Sequence, residues 1–485
     1  MSDNAISVNK TQKQIHILSA LGVVAFLMVA IGIQVFVLDS PYTTQITLIL
    51  ATAVAAIVAM LHGYSWKEVQ DGILYGCNLA MLPMLILMMV GVLIASWVAS
   101  GTIPAMIYYG MMLLSPKYFL FSACLISAIG SVSTGSSWTT AATFGVGFMG
   151  VGLGLNIDPA ITAGAVISGA VFGDKMSPLS DSTNLAAGVG EADLFDHVKS
   201  MAYSTGPAIL ICLVLYYIMG YSYDTSEEID NQQITIIMEG IASKYSLNPI
   251  VFLPPILVVG LAMKKMSGLA VMIIACFTGA FIAIALQGET MKGMWQYMNY
   301  GYVSSIGVEN LDKLLSGGGL QNMMWTISLG FCALAMGGLL EKTKMLEVIL
   351  EKIKGMVRSV PGLVTTHVFS SILANLFTAS QFLAIIIPGR MFVSSYKEKK
   401  LLPQVCSRVC EDSATVTSPL IPWGLGGVYY TGVLGVATLD YLPYMFLGFL
   451  APAMTLLLAY TNKFMFREGD IESVYTYQDN PQERT

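Results

Sequence analysis

Charged side chains are scarce in this sequence of 485 residues: 11% are Asp, Glu, Lys or Arg, and 55% are hydrophobic. Soluble domains carry about 25% charged residues, so the composition excludes an ordinary soluble domain and indicates a membrane protein. A membrane-spanning helix needs about 20 apolar residues, and shorter apolar runs lie between the long ones. We therefore expect an all-α polytopic membrane protein with ten or more membrane segments in the lipid bilayer. The main apolar runs are Ile17–Leu38, Thr44–Leu61, Leu79–Val98, Met201–Tyr221, Pro249–Ala262, Leu269–Leu286, Leu320–Leu340 and Tyr441–Tyr460.

Other chemical signatures are missing as well. The net charge of −6 comes without a basic stripe, so no nucleic-acid partner is expected. No His-rich metal spacing and no nucleophile–base pair is found, so we expect neither an enzyme nor a resident cofactor. The seven cysteines lie in apolar or helical surroundings, so no disulfide framework is predicted. Cys406 and Cys410 are spaced to share a helix face, as a metal or redox pair would be. Without a nearby histidine we interpret them as small core residues.

The distribution of the few charges predicts the topology. Lysine and arginine in short loops favour the cytoplasm, and they cluster at Lys10/Lys13, Lys264/Lys265, Lys342–Arg358, Arg390–Arg408 and Lys463–Arg467. The first apolar run lacks a convincing cleavage site, so we interpret it as a span. The predicted divisions are a cytoplasmic segment (1–14), a first transmembrane repeat (15–221), an external acidic linker (222–247), a second repeat (248–465) and a cytoplasmic or polar tail (466–485).

A weak internal repeat supports two related halves. The sequence Thr134-Gly-Ser-Ser-Trp138 recurs as Thr378-Ala-Ser-Gln-Phe382, and Ser177-Pro-Leu179 recurs as Ser418-Pro-Leu420. The alternative is chance similarity between apolar segments. With the N-terminus inside, the second half begins from the opposite side of the membrane, so the repeats would be inverted. Inverted repeats with helices interrupted at mid-membrane depth are typical of secondary transporters.

Each half contains two predicted interruptions. In the first half, residues 130–140 predict a re-entrant hairpin or a broken helix, with small-residue helix packing as the alternative. Pro178 breaks the next helix near Ser177, in a stretch that supplies carboxylates and hydroxyls; an ordinary surface loop is the alternative. Oxygen ligands suit an alkali cation or a proton. The predicted cation- or proton-binding residues are Thr134, Ser136, Ser137, Asp174, Ser177, Asp181 and Asn184. Lys175 is their predicted charge partner, or a competitor for the carboxylates.

The counterpart breaks of the second half are Asn375–Gln381 and residues 410–423. There the acids lie further from the Ser-Pro pair than Asp174 does, so one half could hold a cation and the other a proton or an organic anion. The predicted substrate- or ion-binding residues of this half are Asn375, Thr378, Ser380, Glu411, Asp412, Thr415 and Ser418. His197 and His367 titrate in the range of a pH sensor, but a single histidine is more often a packing residue.

At these residues the chain resembles the NhaC-type sodium/proton antiporters of the wider ion-transporter superfamily. The resemblance rests on five motifs in order, from about residue 15 to 465: Gly101-Thr-Ile-Pro104, Thr134-Gly-Ser-Ser-Trp-Thr139, Ala163-Gly-Ala165, Phe172-Gly-Asp-Lys-Met-Ser-Pro-Leu-Ser-Asp-Ser-Thr-Asn184 and Asp193-Leu-Phe-Asp-His197. It implies a multi-pass protein of the bacterial inner membrane that moves Na⁺ against H⁺. The wider superfamily also implies a homodimer with a mobile transport domain.

The expected mechanism is competition for one site. Na⁺ would bind among Thr134, Ser136, Ser137, Asp174, Asp181 and Asn184, and protonation of a carboxylate would weaken that binding. The alternative is a Na⁺/H⁺-coupled exchanger or symporter of a small organic substrate, because members of the family also exchange malate and lactate or carry amino acids. A channel could share the polar breaks, but inverted repeats with four interruptions favour a carrier.

Overall fold

The computed structural model describes residues 15–38, 44–224, 231–307, 312, 315–355 and 357–467. The segment 1–14, most acidic residues of the predicted linker and most of the tail lie outside these residues. The linker region does contain a helix, α11. The α-helices are α1 (Ile17–Phe36), α2 (Thr44–Leu61), α3 (Trp66–Ala99), α4 (Thr102–Leu113), α5 (Pro116–Thr134), α6 (Ser137–Thr140), α7 (Val146–Gly154), α8 (Pro159–Met176), α9 (Asp181–Val189), α10 (Leu194–Asp224), α11 (Asn231–Lys244), α12 (Leu253–Met263), α13 (Gly268–Gln287), α14 (Met291–Tyr300), α15 (Met324–Lys342), α16 (Met345–Lys354), α17 (Val360–Thr378), α18 (Gln381–Glu398), α19 (Pro403–Cys410), α20 (Leu425–Leu434), α21 (Thr438–Tyr441) and α22 (Leu447–Thr461).

The predicted all-α polytopic membrane architecture is confirmed. Eight helices of the described chain are long and apolar enough to cross a membrane, and two helix pairs bent by 99° and 48° raise the number to ten. The eight apolar runs of the sequence fall within these spans or bent pairs. The two spans without a corresponding run are α5 and α17. Large apolar side chains point outward from the spans, as lipid contact requires; Phe281 is 72% exposed and Leu210 is 63% exposed.

Residues 116–154 form a helical hairpin, here called hairpin 1. Its first arm, α5, runs parallel to α8, because Gly169 packs on the backbone of Cys124 and Gly173 on that of Ala128. The chain turns at Gly135, whose φ of 67° is left-handed, a conformation that glycine adopts readily. The returning arm runs antiparallel to α8, with Gly145 against Val166. Of the two predicted possibilities, a hairpin and a broken helix, the structure has the hairpin.

Residues 360–398 form hairpin 2 with the same tip geometry. The arms α17 and α18 are antiparallel, and His367 Nδ1 lies 3.1 Å from the Tyr396 hydroxyl across them. The turn residue is Ala379, with a left-handed φ of 56°. Each tip ends in a serine that caps the returning arm. Ser136 Oγ accepts a hydrogen bond from the backbone N–H of Thr139 at 3.2 Å, and Ser380 Oγ accepts one from the backbone N–H of Leu383 at 3.4 Å. The repeated sequence motif is therefore a repeated structure.

Two broken helices lie beside the hairpins. Broken helix 1 (159–189) consists of α8 and α9, separated at residues 177–180; broken helix 2 (403–434) consists of α19, a π-helical turn Glu411–Thr415, a 3₁₀ turn Ser418–Leu420 and α20. The two run in opposite directions, because Lys175 contacts Asp412 whereas the later residue Gly190 contacts the earlier residue Ser407. This antiparallel crossing is the arrangement expected of inverted repeats.

Candidate functional site

The hairpin tips and the break of helix 1, together with α3 and the α12–α13 loop, line an open cavity of about 670 Å³. It contains first-half residues that the sequence predicts as ligands, together with two residues of the hairpin 2 tip and a lysine from the α12–α13 loop. Polar and aromatic lining residues are Thr134, Ser136, Trp138, Thr139, Asp174, Ser180, Asp181, Ser182, Asn184, Lys265, Ser267, Gln381 and Phe382. No residue of broken helix 2 and none of the predicted second-half ligands is among the lining residues.

Asp174 is the buried carboxylate of the cavity wall. It lies in the last turn of α8 and is 8% exposed. Ser137 is the first residue after the hairpin 1 tip, and its hydroxyl donates a hydrogen bond of 2.6 Å to Asp174 Oδ2. Among the described residues Asp174 forms no ion pair. A carboxylate that is buried, hydrogen-bonded and without a counter-ion is able to bind either a cation or a proton.

Asp181 and Asn184 lie across the break from Asp174. Asp181 is exposed to the cavity and is the first residue of α9. Asn184 Nδ2 donates to the carbonyl oxygens of Pro178 at 3.0 Å and Ser180 at 2.7 Å, so this side chain holds the break in shape. Ser177 Oγ donates to the Val132 carbonyl at 2.8 Å and thereby joins the break to hairpin 1.

Lys175 pairs with neither of the predicted first-half carboxylates. It is fully buried and forms an ion pair with Asp412 of broken helix 2, which is also fully buried. Asp412 further accepts hydrogen bonds from Thr205 Oγ1 at 3.1 Å and from Thr455 Oγ1. The sequence-based pairing is wrong because consecutive residues of an α-helix point about 100° apart. Asp174 faces the cavity, and Lys175 faces the second half.

Glu411 is a second buried carboxylate without an ion pair among the described residues. It accepts from Thr183 Oγ1 at 3.3 Å and from Thr415 Oγ1, within the π-helical turn of broken helix 2. Thr183 Oγ1 also lies 3.0 Å from the Lys175 carbonyl. Single π-helical turns occur frequently at functional sites. Through Thr183, Glu411 therefore contacts the break of helix 1, on which Asp174 lies.

Comparison with known proteins identifies the family. A family model described as the Na⁺/H⁺ antiporter family matches residues 3–183 and 169–463. The chain belongs to the Na⁺/H⁺ antiporter family. It is 37% identical over 443 residues to the Na⁺/H⁺ antiporter NhaC of Alkalihalophilus pseudofirmus, covering 90% of this chain and 95% of that protein. The resemblance predicted from the motifs is thereby confirmed.

Family relatives carry names with different cargoes. The arginine/ornithine antiporter ArcD of Halobacterium salinarum is 37% identical over 459 residues, which is 94% of this chain and 93% of that protein. The malate-2H⁺/Na⁺-lactate antiporter of Bacillus subtilis is 34% identical over 451 residues, which is 93% and 95%. Among solved structures, MtrF of Neisseria gonorrhoeae is 11% identical with a TM-score of 0.43, covering 87% of this chain and 95% of that one. Family membership does not depend on this last resemblance.

Of the other predicted second-half residues, Asn375 joins hairpin 2 to broken helix 2, and the rest form contacts within their own element. Asn375 Nδ2 donates to the Ala414 carbonyl at 2.6 Å and to Thr417 Oγ1 at 3.1 Å. Thr378 Oγ1 donates back to the Ala374 carbonyl at 2.7 Å. Thr415 is bonded to Glu411, Ser380 caps its helix, and Ser418 is buried at the 3₁₀ turn. None of them lines the cavity, whereas five of the seven predicted first-half residues do; the other two, Ser137 and Ser177, bond to Asp174 and to the Val132 carbonyl.

Sequence reasoning missed Arg408 and Thr205 of this region, and it singled out His197 without assigning it a partner. Arg408 is fully buried and donates to the Phe464 carbonyl at 3.0 Å and to Ser200 Oγ at 3.3 Å. His197 is also fully buried, with Nδ1 2.8 Å from Ser407 Oγ. Thr183 and Thr205 supply hydroxyls to the buried acids. The available signal was an arginine two residues before Cys410-Glu-Asp412, next to the segment 410–423 that the repeat predicts as a helix break.

Proposed function

We propose that this chain exchanges Na⁺ for H⁺ by alternating access across the bacterial inner membrane, and that Asp174 binds the two ions at different times. The observation that carries the proposal is the environment of Asp174: a buried carboxylate without a counter-ion on the wall of a cavity at the hairpin 1 tip. Protonated Asp174 is neutral and a weak cation ligand, and ionised Asp174 attracts Na⁺. Competition of Na⁺ and H⁺ for the Asp174 carboxylate couples the two ion fluxes, and no further coupling element is needed.

The surrounding oxygens complete a site for a hard cation. Thr134, Ser136, Asp181 and Asn184 line the same cavity, and Ser137 reaches Asp174 directly. Hard cations prefer oxygen ligands, including backbone carbonyls exposed where a helix is interrupted. We assign Na⁺ to the space between the hairpin 1 tip and the break of helix 1. Asp181, which is exposed, attracts the cation to the entrance.

Alternating access would result from movement of the hairpins and broken helices as one body. The two halves have antiparallel broken helices with equivalent tips, so exchanging the conformations of the halves would open the site to the opposite side. We further expect a homodimer, in which the remaining spans form the fixed contact in the bilayer. These two statements rest on the symmetry of the fold and on the family resemblance.

A second candidate function is exchange of a small organic substrate coupled to the same ions. The cavity of about 670 Å³ is much larger than one Na⁺ requires, and it lies in the range of small-molecule sites. Lys265 and the aromatic rings of Trp138 and Phe382 are part of its wall. A lysine and a carboxylate in the wall of one cavity suit a carboxylate or a zwitterionic amino acid, and relatives are named for both kinds of cargo.

The decisive experiment uses reconstituted vesicles with an imposed pH gradient and measures uptake of radioactive Na⁺. We expect saturable, gradient-driven uptake that Asp174→Asn abolishes. Asp196→Asn is the matched control, because Asp196 lies on the surface and pairs only loosely with Lys199 at 3.8 Å. Unchanged Na⁺ uptake by Asp174→Asn, in vesicles with equal amounts of folded protein, would remove this carboxylate from the mechanism.

The same vesicles separate the two candidate functions. Na⁺ uptake is measured with and without malate, lactate, arginine or ornithine on the opposite side. Full exchange in the absence of every organic solute supports the simple antiporter. A requirement for one of them supports the organic exchanger, and the solute that restores flux identifies the cargo.

A further inference from the structure

Hairpin 2 and broken helix 2 bring together three buried side chains that are unrelated to the cavity. They are His367 of α17 and Cys406 and Cys410 of α19, and each is at most 1% exposed. One imidazole nitrogen and the two Sγ atoms all lie within 4.8 Å of one another. The cysteines share one face of α19, as their spacing predicts. The histidine that the sequence lacks near them comes from a helix about 40 residues earlier.

The geometry matches that of a thiolate–imidazole metal site. His367 Nε2 lies 3.5 Å from Cys410 Sγ. In a tetrahedral site with Zn–S of about 2.3 Å and Zn–N of about 2.0–2.1 Å, sulfur and nitrogen ligands lie about 3.6 Å apart. The spacing of these two atoms is therefore already that of two ligands on one ion, with the imidazole nitrogen directed toward the sulfur.

The second nitrogen of His367 supplies an independent observation. Nδ1 lies 3.1 Å from the hydroxyl of Tyr396, which is itself buried. Metal-binding histidines almost always donate their other ring N–H to a neighbouring acceptor, which fixes the tautomer and the ring orientation. With the proton on Nδ1, the lone pair of Nε2 is directed to the cysteines. Phe392 also packs against the ring at a centroid distance of 5.0 Å.

The surroundings select the class of ion. The surroundings are largely apolar: Cys406 belongs to a buried cluster that also contains Leu363, Val364, Val368, Phe392, Val405 and Val409. An apolar enclosure penalises net charge, and two thiolates with one divalent cation are neutral. Thiolate and imidazole are soft or intermediate ligands that favour Zn²⁺ or Cu⁺ over Na⁺. Charge and ligand type together favour Zn²⁺.

We propose that His367 Nε2, Cys406 Sγ and Cys410 Sγ bind one thiophilic divalent metal ion of the Zn²⁺ class. Binding replaces two S–H protons, which are released to solvent, and forms two metal–sulfur bonds and one metal–nitrogen bond. The ion joins α17 of hairpin 2 to α19 of broken helix 2 and, through Tyr396, to α18. The site is separate from the Na⁺ site, and the proposal does not depend on the proposed transport function.

The test uses the full chain purified in detergent, stripped with a chelator and titrated with Zn²⁺ and, separately, with Co²⁺. We expect one ion per chain, a higher thermal unfolding midpoint with Zn²⁺, and sulfur-to-Co²⁺ charge-transfer absorption in the near ultraviolet. The variant Cys406→Ser/Cys410→Ser should lose all three. The control variant Cys124→Ser/Cys212→Ser should keep them, because no third metal-binding side chain joins these buried cysteines in the described chain.

The wild-type Co²⁺ spectrum alone can overturn the proposal, so a variant that fails to fold does not obscure the result. Bound Co²⁺ without charge-transfer bands would exclude thiolate ligands. Equal Zn²⁺ stoichiometry in wild type and in a folded Cys406→Ser/Cys410→Ser variant would exclude these two residues. A Cu⁺ titration is the third arm: binding of Cu⁺ with no binding of Zn²⁺ would overturn the assignment to a divalent ion.

Discussion

Replacing either member of the buried Lys175–Asp412 pair should destabilise the protein, and the two replacements should differ. Breaking a buried pair by removing one partner costs about 3–5 kcal/mol, because an uncompensated charge is left in a medium of low polarity. Asp412 keeps the hydroxyls of Thr205 and Thr455 after Lys175→Met. Lys175 has no hydrogen-bond acceptor other than Asp412 among the described residues. Hydrogen bonds to a charged group contribute about 1.5–3 kcal/mol each, and Asp412 keeps two of them, so Asp412→Leu should be the more damaging variant by about 3 kcal/mol or more.

The double variant completes the cycle. Lys175→Met with Asp412→Leu removes both charges and leaves apolar groups of similar volume, a change that is often neutral or stabilising at buried pairs. We therefore expect a coupling energy of about 6 kcal/mol or more between the two sites, because the double variant avoids two single losses of at least about 3 kcal/mol each. The quantity is measured by reversible unfolding in mixed micelles. Lys397→Met is the control, because its pair with Glu191 at 2.6 Å is exposed and such pairs contribute about 0–1 kcal/mol. Additive effects at residues 175 and 412 would refute the reasoning.

Three further predictions concern other parts of the chain. Ser137→Ala should raise the Na⁺ concentration for half-maximal exchange by about 10-fold or more, because it removes a charge-assisted hydrogen bond to Asp174. Ser137→Thr keeps the hydroxyl and is the control. Equal half-maximal concentrations for Ser137→Ala and wild type would contradict the assignment. Gly76→Ala should lower the free energy of unfolding by about 1–3 kcal/mol, because its Cβ would lie 1.8 Å from the Leu334 carbonyl oxygen. Gly22→Ala, also inside a helix but with nothing within 4 Å, should not lower it, because alanine is the better helix former. Asp312 has a lowered pKa because Ser304 Oγ and two backbone N–H groups donate to its carboxylate. The ionised Asp312 carboxylate therefore stabilises the fold above its ordinary pKa of 3.8, and this stabilisation is lost as the pH falls through the lowered pKa. Hydrogen exchange of the donor amides, corrected for intrinsic rates, should accelerate only below about pH 4.

Much of the fold was predictable from local features of the sequence. Apolar runs located eight of the ten spans or bent pairs, and Pro178 located the break after α8. The hairpin tips were predictable because the pair Gly135-Ser136 of the first half has its counterpart in Ala379-Ser380 of the second half. The first arms, α5 and α17, were not identified as spans. Their serines and threonines interrupt the apolar run, although these small side chains bury well against neighbouring helices.

The contacts between the halves could not be predicted from spacing. Lys175 and Asp412 are 237 positions apart, and their contact depends on the relative register of two antiparallel broken helices. Sequence proximity suggested Asp174 as the partner of Lys175, but adjacent residues of a helix do not face each other. The position of His367 beside Cys410 depends in the same way on how hairpin 2 packs on broken helix 2. A single sequence contains no register information for such pairs.

The pairing of Lys175 with Asp412 explains why the second half carries its acids further from the Ser-Pro break than the first half does. If Lys175 were bonded to Asp174, each Na⁺ would have to displace a buried ammonium group, and protonation of Asp174 would leave that group uncompensated. With Asp412 as the permanent counter-ion, Asp174 can gain or lose a proton while Lys175 stays neutralised. The repeat is therefore asymmetric in charge although it is symmetric in shape: one half presents the carboxylate that we propose exchanges the ions, and the other supplies the counter-ion that leaves this carboxylate without an ion pair.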